Sequence, residues 1–124
     1  MLDIDHFKAI NDNYGHEAGD LSLKELTNTL RALTRKQDFV FRLGGEEFLI
    51  IMPNTNKAEA KQAAERIKHA VNEHKVYYRN FNISFTVSIG LLTHDGSISL
   101  QNSLKYVDDY LYEAKTKGRN RIVD

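Results

Sequence analysis

FVFRLGGEEFLIIM, residues 39–52, consists of two apolar runs separated by two glycines and two glutamates. β-Branched and aromatic residues favour strands, and glycine accepts the positive φ angles of a tight turn. The stretch therefore predicts a β-hairpin with strands at Phe39 to Leu43 and Phe48 to Met52. Its turn places the carboxylates of Glu46 and Glu47 beside glycine backbone, where a metal-bound phosphate can approach closely. We expect a catalytic edge at this turn.

The composition predicts one ordinary domain. Its 124 residues are 41% hydrophobic and 27% charged, which allows one core and shows no bias towards disorder. Seventeen basic residues balance 17 acidic ones, so no overall field draws the chain to nucleic acid or to an anionic membrane. The chain has no cysteine for disulfides or thiolate metal sites. No apolar run is long enough to span a bilayer, so we expect a soluble fragment that binds phosphates locally.

The first part of the chain predicts a strand and two helices. Residues 1–5 read as a strand, and a short helix over about 6–13 ends at Gly15, which suits a left-handed cap. Leucines spaced by three and four predict a second helix over about 20–34. Asp20 would cap the start of this helix or complement its dipole.

Two further helices and a long strand follow the hairpin. Asn56 and Glu59 form a capping box that begins a helix ending at about Glu73. Apolar residues occupy the odd positions of 81–91, which predicts a strand with one solvated face. A last helix then precedes a short edge strand at 122–123. The order β-α-α-β-β-α-β-α-β predicts an α+β fold, a mostly antiparallel central sheet flanked by helices, of the palm or ferredoxin-like type.

Asp3 and Asp5 end the opening strand. Alternation places both on one face, beside the free helix-start amides of Phe7 and Lys8, which suit a phosphate. Together with the hairpin glutamates, these acids offer the hard oxygen ligands that divalent cations require. Acids at a helix start can also simply cap the helix and solvate the strand end. The hairpin acids favour the metal interpretation.

Asn11 and Asp20 flank the connection between the first two predicted helices. An amide and a carboxylate together can read the donors and acceptors on the edge of guanine, which a lone acid cannot do. Taken singly, Asn11 can terminate a helix and Asp20 can start one. The residues alone favour this structural alternative.

Two charged pairs complete the candidates. Lys115 and Arg119 lie one turn apart at a helix C-terminus, where the dipole favours cations whether or not they bind a ligand. Arg35 and Asp38 lie in a charged loop before the hairpin, and such loops are usually only solvated. Neither pair identifies a site by itself, and the five histidines show no ligand spacing.

These motifs together resemble the GGDEF family, the diguanylate cyclases, in its Gly-Gly-Glu-Glu-Phe form. The match extends along the whole chain and includes FKAIND at 7–12 and YGH at 14–16. At VDDYLYEAK, 107–115, the chain departs from the family pattern at Val107 and Tyr110, where the family's alanines serve packing. The resemblance implies metal-dependent condensation of two GTP into cyclic di-GMP, with release of pyrophosphate, across a dimer of two such domains.

The resemblance implies a metal centre with defined ligands. Asp3, the carbonyl of Ile4 and Glu46 would hold Mg²⁺ or Mn²⁺. Glu47 would be a further catalytic acid near the metal. The general base stays open between Glu47 and metal-bound hydroxide.

Substrate and product sites are implied in the same way. Guanine and then the phosphates of GTP would contact these residues: Asn11, Asp20, Phe7, Lys8, Lys115 and Arg119. The product, cyclic di-GMP, would bind an inhibitory site made by Arg35, Asp38 and Arg66. Bidentate arginine recognition of phosphates and purine edges makes such a site chemically sensible.

The resemblance also concerns what lies outside the chain. It implies one GGDEF-type domain at 1–124 that lacks the family's N-terminal helix and an upstream sensory region. The expected location is cytoplasmic, with any membrane anchor supplied by the missing regions. Two alternatives stay open: a non-catalytic effector that binds GTP or cyclic di-GMP, and a different two-metal enzyme on a palm-like sheet, such as an adenylyl cyclase. Base choice separates the second alternative from a guanine enzyme.

Overall fold

The computed structural model describes all 124 residues. Its helices pack on a five-stranded mixed sheet and a two-stranded antiparallel sheet. The elements, in chain order, are β1 (Leu2–Ile4), α1 (Phe7–Tyr14), α2 (His16–Leu33), β2 (Phe39–Gly44), β3 (Glu47–Ile51), α3 (Lys57–Glu73), β4 (Val76–Tyr78), β5 (Phe81–Ile83), β6 (Val87–Gly90), α4 (Leu100–Thr116) and β7 (Ile122–Val123). This arrangement confirms the predicted α+β class. No helix combines the length and apolar character needed to cross a membrane.

The central sheet has five strands in the order β2-β3-β1-β6-β7. β1 lies in the middle, antiparallel to β3 and β6, so Asp3 is opposite Glu47 on one side and opposite Ser88 on the other. β7 alone joins in parallel, at the edge predicted for it. The sheet thereby brings the first residues of the chain beside both the hairpin turn and the last strand.

The main core forms where α2 and α3 cover one face of the sheet. Its central side chains include Leu2, Ile4, Leu26, Leu30, Phe48 and Ile67, all nearly inaccessible to solvent. α3 begins with the predicted capping box, in which Asn56 Oδ1 accepts from the Glu59 amide and Glu59 Oε2 accepts from the Asn56 amide, both at 2.9 Å. α4 packs against β6 and β7, and its buried residues lie outside this cluster. The sheet that carries the site is therefore covered by α2 and α3 and, at β6 and β7, contacted by α4.

The predicted start of the second helix is wrong. α2 begins at His16, because Gly15 takes a φ of 93° and turns the chain directly from α1 into α2. Asp20 therefore lies in the second turn of α2 and caps nothing. Leucine spacing finds the buried face of a helix, but its polar first turn carries no such signal.

The predicted strand at 81–91 is two strands. β5 pairs with β4 in a separate two-stranded sheet, and only β6 joins the central sheet. The face expected to be solvated is buried at Ser88 and Gly90, because α4 packs there. A Cβ at Gly90 would lie 2.3 Å from the carbonyl oxygen of Val107, so a side chain would separate the helix from the strand. A small-residue face covered by a helix has the same periodicity as a solvated one.

Candidate functional site

Asp3 lies in the middle strand and is buried, with 5% of its surface exposed. Its Oδ2 accepts a hydrogen bond from Lys115 Nζ, which lies 2.7 Å away in the last turn of α4. Burial raises the pKa of Asp3, Lys115 opposes this shift, and the charges of Glu46 and Glu47 add to it. Asp3 is thus a carboxylate whose ionised form needs nearby positive charge.

The hairpin turn brings the two glutamates to this carboxylate. Gly45 takes a φ of 52° and, with Glu46, forms the turn itself, while Gly44 still belongs to the strand. Arg42 Nε donates to the Gly45 carbonyl at 2.9 Å and ties the turn to its own strand. The Ile4 amide donates to the Glu46 carbonyl at 3.3 Å. Both glutamates are half-buried beside the end of β1.

The donor set at this point suits a hard cation. No three side chains among the His, Cys, Asp and Glu residues gather into a ready-made metal site. The chain offers the carboxylates of Asp3 and Glu46 and the backbone carbonyl of Ile4. Mg²⁺ is usually held by one or two carboxylates together with substrate phosphates and water. These residues therefore fit a divalent cation that arrives with a nucleotide.

Asn11 lies where α1 packs closely on α2, and Asp20 is the residue after the glycine at this contact. A Cβ at Gly19 would lie 1.9 Å from Asn11 Oδ1 and 3.2 Å from Phe7 Cζ, so both side chains lie directly over this glycine. Asn11 is half-buried and Asp20, the next residue after Gly19, is exposed. At this corner of the α1–α2 contact the half-buried Asn11 amide lies over the glycine that precedes the exposed Asp20, and the family resemblance implies that these two residues read guanine.

The predicted phosphate-binding residues lie around the start of α1. No side chain caps this helix, whose first residues are Phe7 and Lys8. The loop after α4 approaches the same end of β1, because the Asn120 amide donates to Asp5 Oδ2 at 3.0 Å. Arg119, the preceding residue, forms no ion pair or side-chain hydrogen bond. The structure thus places the Lys115 ammonium beside Asp3, and it places the loop that carries the unpaired Arg119 guanidinium beside Asp5.

Arg35 and Asp38 form a second site at the opposite end of β2. Arg35 Nη2 lies 3.0 Å from Asp38 Oδ1, and the Arg35 amide donates to Asp38 Oδ2 at 2.7 Å. Burial disfavours ionisation of Asp38, but the hydrogen bonds and charge of Arg35 outweigh it and hold the pKa of Asp38 below its usual range. Both residues line a cavity of about 170 Å³, and Arg66 on α3 lines it too. The structure thus brings the three predicted product-site residues together.

Asp5 has a different role from the one its pattern predicts. Both of its oxygens accept hydrogen bonds within the protein, from Thr86, Ser88 and the Asn120 amide. Sequence reasoning groups Asp5 with Asp3 as a metal acid and misses its three donors. In the sequence, the hydroxyl residues at alternate positions 86 and 88 are the only indication of this contact. No residue near them identifies Asp5 as the group that they bind.

The five-stranded sheet thus carries the acids Asp3, Glu46 and Glu47 next to the Lys115 ammonium at the end of α4. The family described as "Diguanylate cyclase, GGDEF domain" matches residues 1–121. The chain belongs to this GGDEF family.

Curated relatives of the chain are named diguanylate cyclases, and the chain matches part of the length of each. Diguanylate cyclase A of Treponema denticola is 42% identical over 123 residues, which cover 98% of this chain and 33% of that protein. Diguanylate cyclase DgcM of Escherichia coli K12 is 46% identical over 123 residues, 99% of this chain and 29% of that protein. The chain thus spans about a third of the length of these relatives.

Solved structures show the same fold. The GGDEF domain of DgcB from Caulobacter crescentus, in complex with c-di-GMP, superposes with a TM-score of 0.93 at 32% identity, over 98% of this chain and 73% of that one. The active GGEEF domain of a diguanylate cyclase from Vibrio cholerae gives a TM-score of 0.84 at 36% identity, over 98% of this chain and 78% of that one.

Proposed function

We propose that this chain condenses two GTP molecules into cyclic di-GMP and two pyrophosphates. The observation that carries the proposal is the meeting of Asp3, Glu46 and Lys115 at one point of the central sheet in a chain of the GGDEF family. These acids are intact, which argues against a degenerate effector that binds nucleotide without turnover. The paired amide and carboxylate at Asn11 and Asp20 favour guanine over adenine.

Each chain would hold one GTP. Asn11 and Asp20 would bind the guanine edge, the amides of Phe7 and Lys8 would bind phosphate at the start of α1, and the cations of the α4 end would bind the terminal phosphates. Lys115 reaches Asp3 in the structure, so it would exchange this carboxylate for a phosphate when the nucleotide binds. The metal ion would take the place of the Lys115 ammonium, so a positive charge would remain beside Asp3.

Two chains would face each other for the reaction. The 3′-hydroxyl of each GTP would lose its proton to a general base and attack the α-phosphorus of the other, forming a new phosphodiester while the bond to the β-phosphate oxygen breaks and pyrophosphate leaves. Mg²⁺ or Mn²⁺, held by Asp3, Glu46 and the Ile4 carbonyl, would neutralise the phosphates and lower the pKa of the attacking hydroxyl. Glu47, opposite Asp3 in the sheet, would add negative charge near this cation. Positioning and electrostatics supply most of the rate in such transfers.

Product would bind at the second site. Arg35 and Asp38, with Arg66 across the same cavity, offer forked donors and one acceptor for cyclic di-GMP. This site is separate from the acids of the hairpin turn. Cyclic di-GMP would therefore act there as a product inhibitor without occupying the place of GTP. An upstream sensory domain in the full-length protein is the further partner that we propose.

The direct test is to incubate the chain with GTP and Mg²⁺ and to separate the products by chromatography. We expect cyclic di-GMP and pyrophosphate from wild type and neither from Asp3→Asn. A chain that binds GTP or cyclic di-GMP but forms no product, even when joined to its upstream residues, would be an effector. Equal use of ATP would instead point to another nucleotidyl cyclase.

A further inference from the structure

Asp5 is a buried carboxylate that ties three separate parts of the chain together. It is 5% exposed, directly after β1. Its Oδ1 accepts from Ser88 Oγ at 2.6 Å. Its Oδ2 accepts from Thr86 Oγ1 at 2.6 Å and from the Asn120 amide at 3.0 Å. Both oxygens of the carboxylate are therefore engaged by donors of the protein itself.

The loop that Asp5 holds has an unusual backbone. Gly118, Arg119 and Asn120 have φ angles of 117°, 65° and 47°, a run in the left-handed region that side-chain-bearing residues rarely adopt. Its two ends are fixed by backbone bonds, from the Arg119 amide to Ala114 and from Ile89 to the Arg121 carbonyl. Asp5 supplies the side-chain contact at the middle of the loop. Such a backbone persists only when its surroundings hold it in place.

We infer that Asp5 is a positioning residue for the phosphate end of the nucleotide, acting through the loop of 118–120. By holding the Asn120 amide, Asp5 fixes the backbone next to Arg119. The Arg119 guanidinium itself forms no ion pair or hydrogen bond within the protein. The inference rests on the proposed function, in which Arg119 binds the terminal phosphates of GTP. It gives Asp5 a role different from that of Asp3, although both acids lie on one strand end.

A metal-ligand role for Asp5 makes the opposite prediction. A cation would have to displace the donors of Thr86, Ser88 or Asn120, and it would need the negative charge. A positioning role needs only an acceptor for the Asn120 amide. In Asp5→Asn the amide oxygen keeps that acceptor, and the NH₂ group can donate to the Ser88 hydroxyl, which is able to accept. The conservative variant should therefore rescue a positioning role and not a metal role.

The test compares two nucleotides that differ in their terminal phosphates, α,β-methylene-GTP and GMP, each titrated with Mg²⁺ in calorimetry. Asp5→Ala should bind the GTP analogue roughly tenfold or more weakly, as expected for loss of a charge-assisted contact, and bind GMP within about threefold of wild type. Asp5→Asn should bind both within about threefold. Thr86→Val and Ser88→Ala are the matched controls, because each removes a donor to Asp5 and spares the loop amide. Both should lower the melting temperature and leave the ratio of the two affinities unchanged.

The outcomes separate the two proposals. Wild type that binds neither nucleotide would overturn the proposed function and this role with it. Normal GTP-analogue binding by Asp5→Ala, equal loss in Asp5→Asn, or an equal shift in the controls would overturn only the role of Asp5. Asp5→Ser, with a hydroxyl too short to reach the loop amide, should give the same result as Asp5→Ala and replaces it if that variant does not fold.

Discussion

Lys115 Nζ donates to Asp3 Oδ2 at 2.7 Å across a sequence separation of 112 residues. The pair joins the last turn of α4 to the central strand, and it keeps the Lys115 ammonium beside the buried Asp3 carboxylate. A cation that binds Asp3 would release Lys115 towards the phosphates of the same nucleotide. In the proposed reaction, this contact would couple the entry of the metal ion to the binding of phosphate.

Asp3 should make stability depend on pH. Burial raises its pKa in the folded state above the ordinary value of 3.8, so the folded state holds this proton more tightly than the unfolded state. The resulting stabilisation is present below pH 3.8 and is lost as the pH rises through the folded-state pKa. Ionisation of Asp3 therefore lowers the stability of the fold.

We accordingly expect Asp3→Asn to gain stability relative to wild type as the pH rises above 3.8 and through the folded-state pKa of Asp3, while losing turnover. Urea unfolding at a series of pH values measures this difference. Asp12→Asn, at an exposed acid on α1, is the control and should show no such trend. A difference that stays constant over the pH range would contradict the prediction.

Glu46→Gln should abolish turnover without harming the fold. Removal of one carboxylate charge from a catalytic cation costs several kcal/mol of transition-state stabilisation, so we expect a loss of at least about a hundredfold in kcat/KM. Glu46 lies half-buried in the turn, where substitutions change stability by about 0.5 kcal/mol. Rates of cyclic di-GMP formation and melting temperatures test both parts, with the exposed Glu73→Gln as control. Turnover near that of wild type would remove Glu46 from the catalytic centre.

Features set by neighbouring residues were predictable from sequence. The capping box of Asn56 with Glu59 and the hairpin at the glycine pair each depend on a few consecutive side chains, whereas the left-handed cap expected at Gly15 is wrong, because Gly15 takes a φ of 93° with a ψ of 165°. Such local chemistry acts wherever the segment lies in the fold. The α+β class followed from the order of these segments.

Features set by tertiary packing were not predictable from one sequence. The role of Asp5 depends on an amide 115 residues away, and the burial of Gly90 depends on the approach of α4. The position of Asn11 over Gly19 likewise requires the two helices to be packed together. For these positions the sequence supplied the chemical groups and the family resemblance supplied their roles, while the contacts came from the structure.

Gly19→Ala should weaken the preference for guanine. Its Cβ would lie 1.9 Å from Asn11 Oδ1, so the Asn11 side chain must move away from this corner of the α1–α2 contact, where we propose that it binds guanine with Asp20. If wild type prefers GTP to ATP by about a hundredfold, we expect a loss of about tenfold in this ratio, with ATP affinity unchanged. Calorimetry with both nucleotides measures it.

The corner offers a double-mutant check on the same prediction. Asn11→Ala should match Gly19→Ala, and the two together should be no worse than either, because they remove one interaction. Asn28→Ala, at an exposed position on α2, should change nothing. Additive losses, or equal losses for ATP, would show that Gly19 acts on the helix packing and not on base recognition.

Arg35→Ala should weaken binding of cyclic di-GMP by roughly tenfold to a hundredfold, the usual effect of losing a charge-assisted contact. An extended strand from Asp38 to Gly44 covers about 20 Å, so this site is separate from the hairpin acids and can be titrated in a Glu46→Gln background. Arg35→Lys should give an intermediate loss, because it keeps the charge opposite Asp38 but not the fork. Arg31→Ala, exposed in the last turn of α2, is the control. In an otherwise active chain, Arg35→Ala should also relieve product inhibition, and unchanged product affinity would reduce Arg35 and Asp38 to a solvated ion pair at the end of α2.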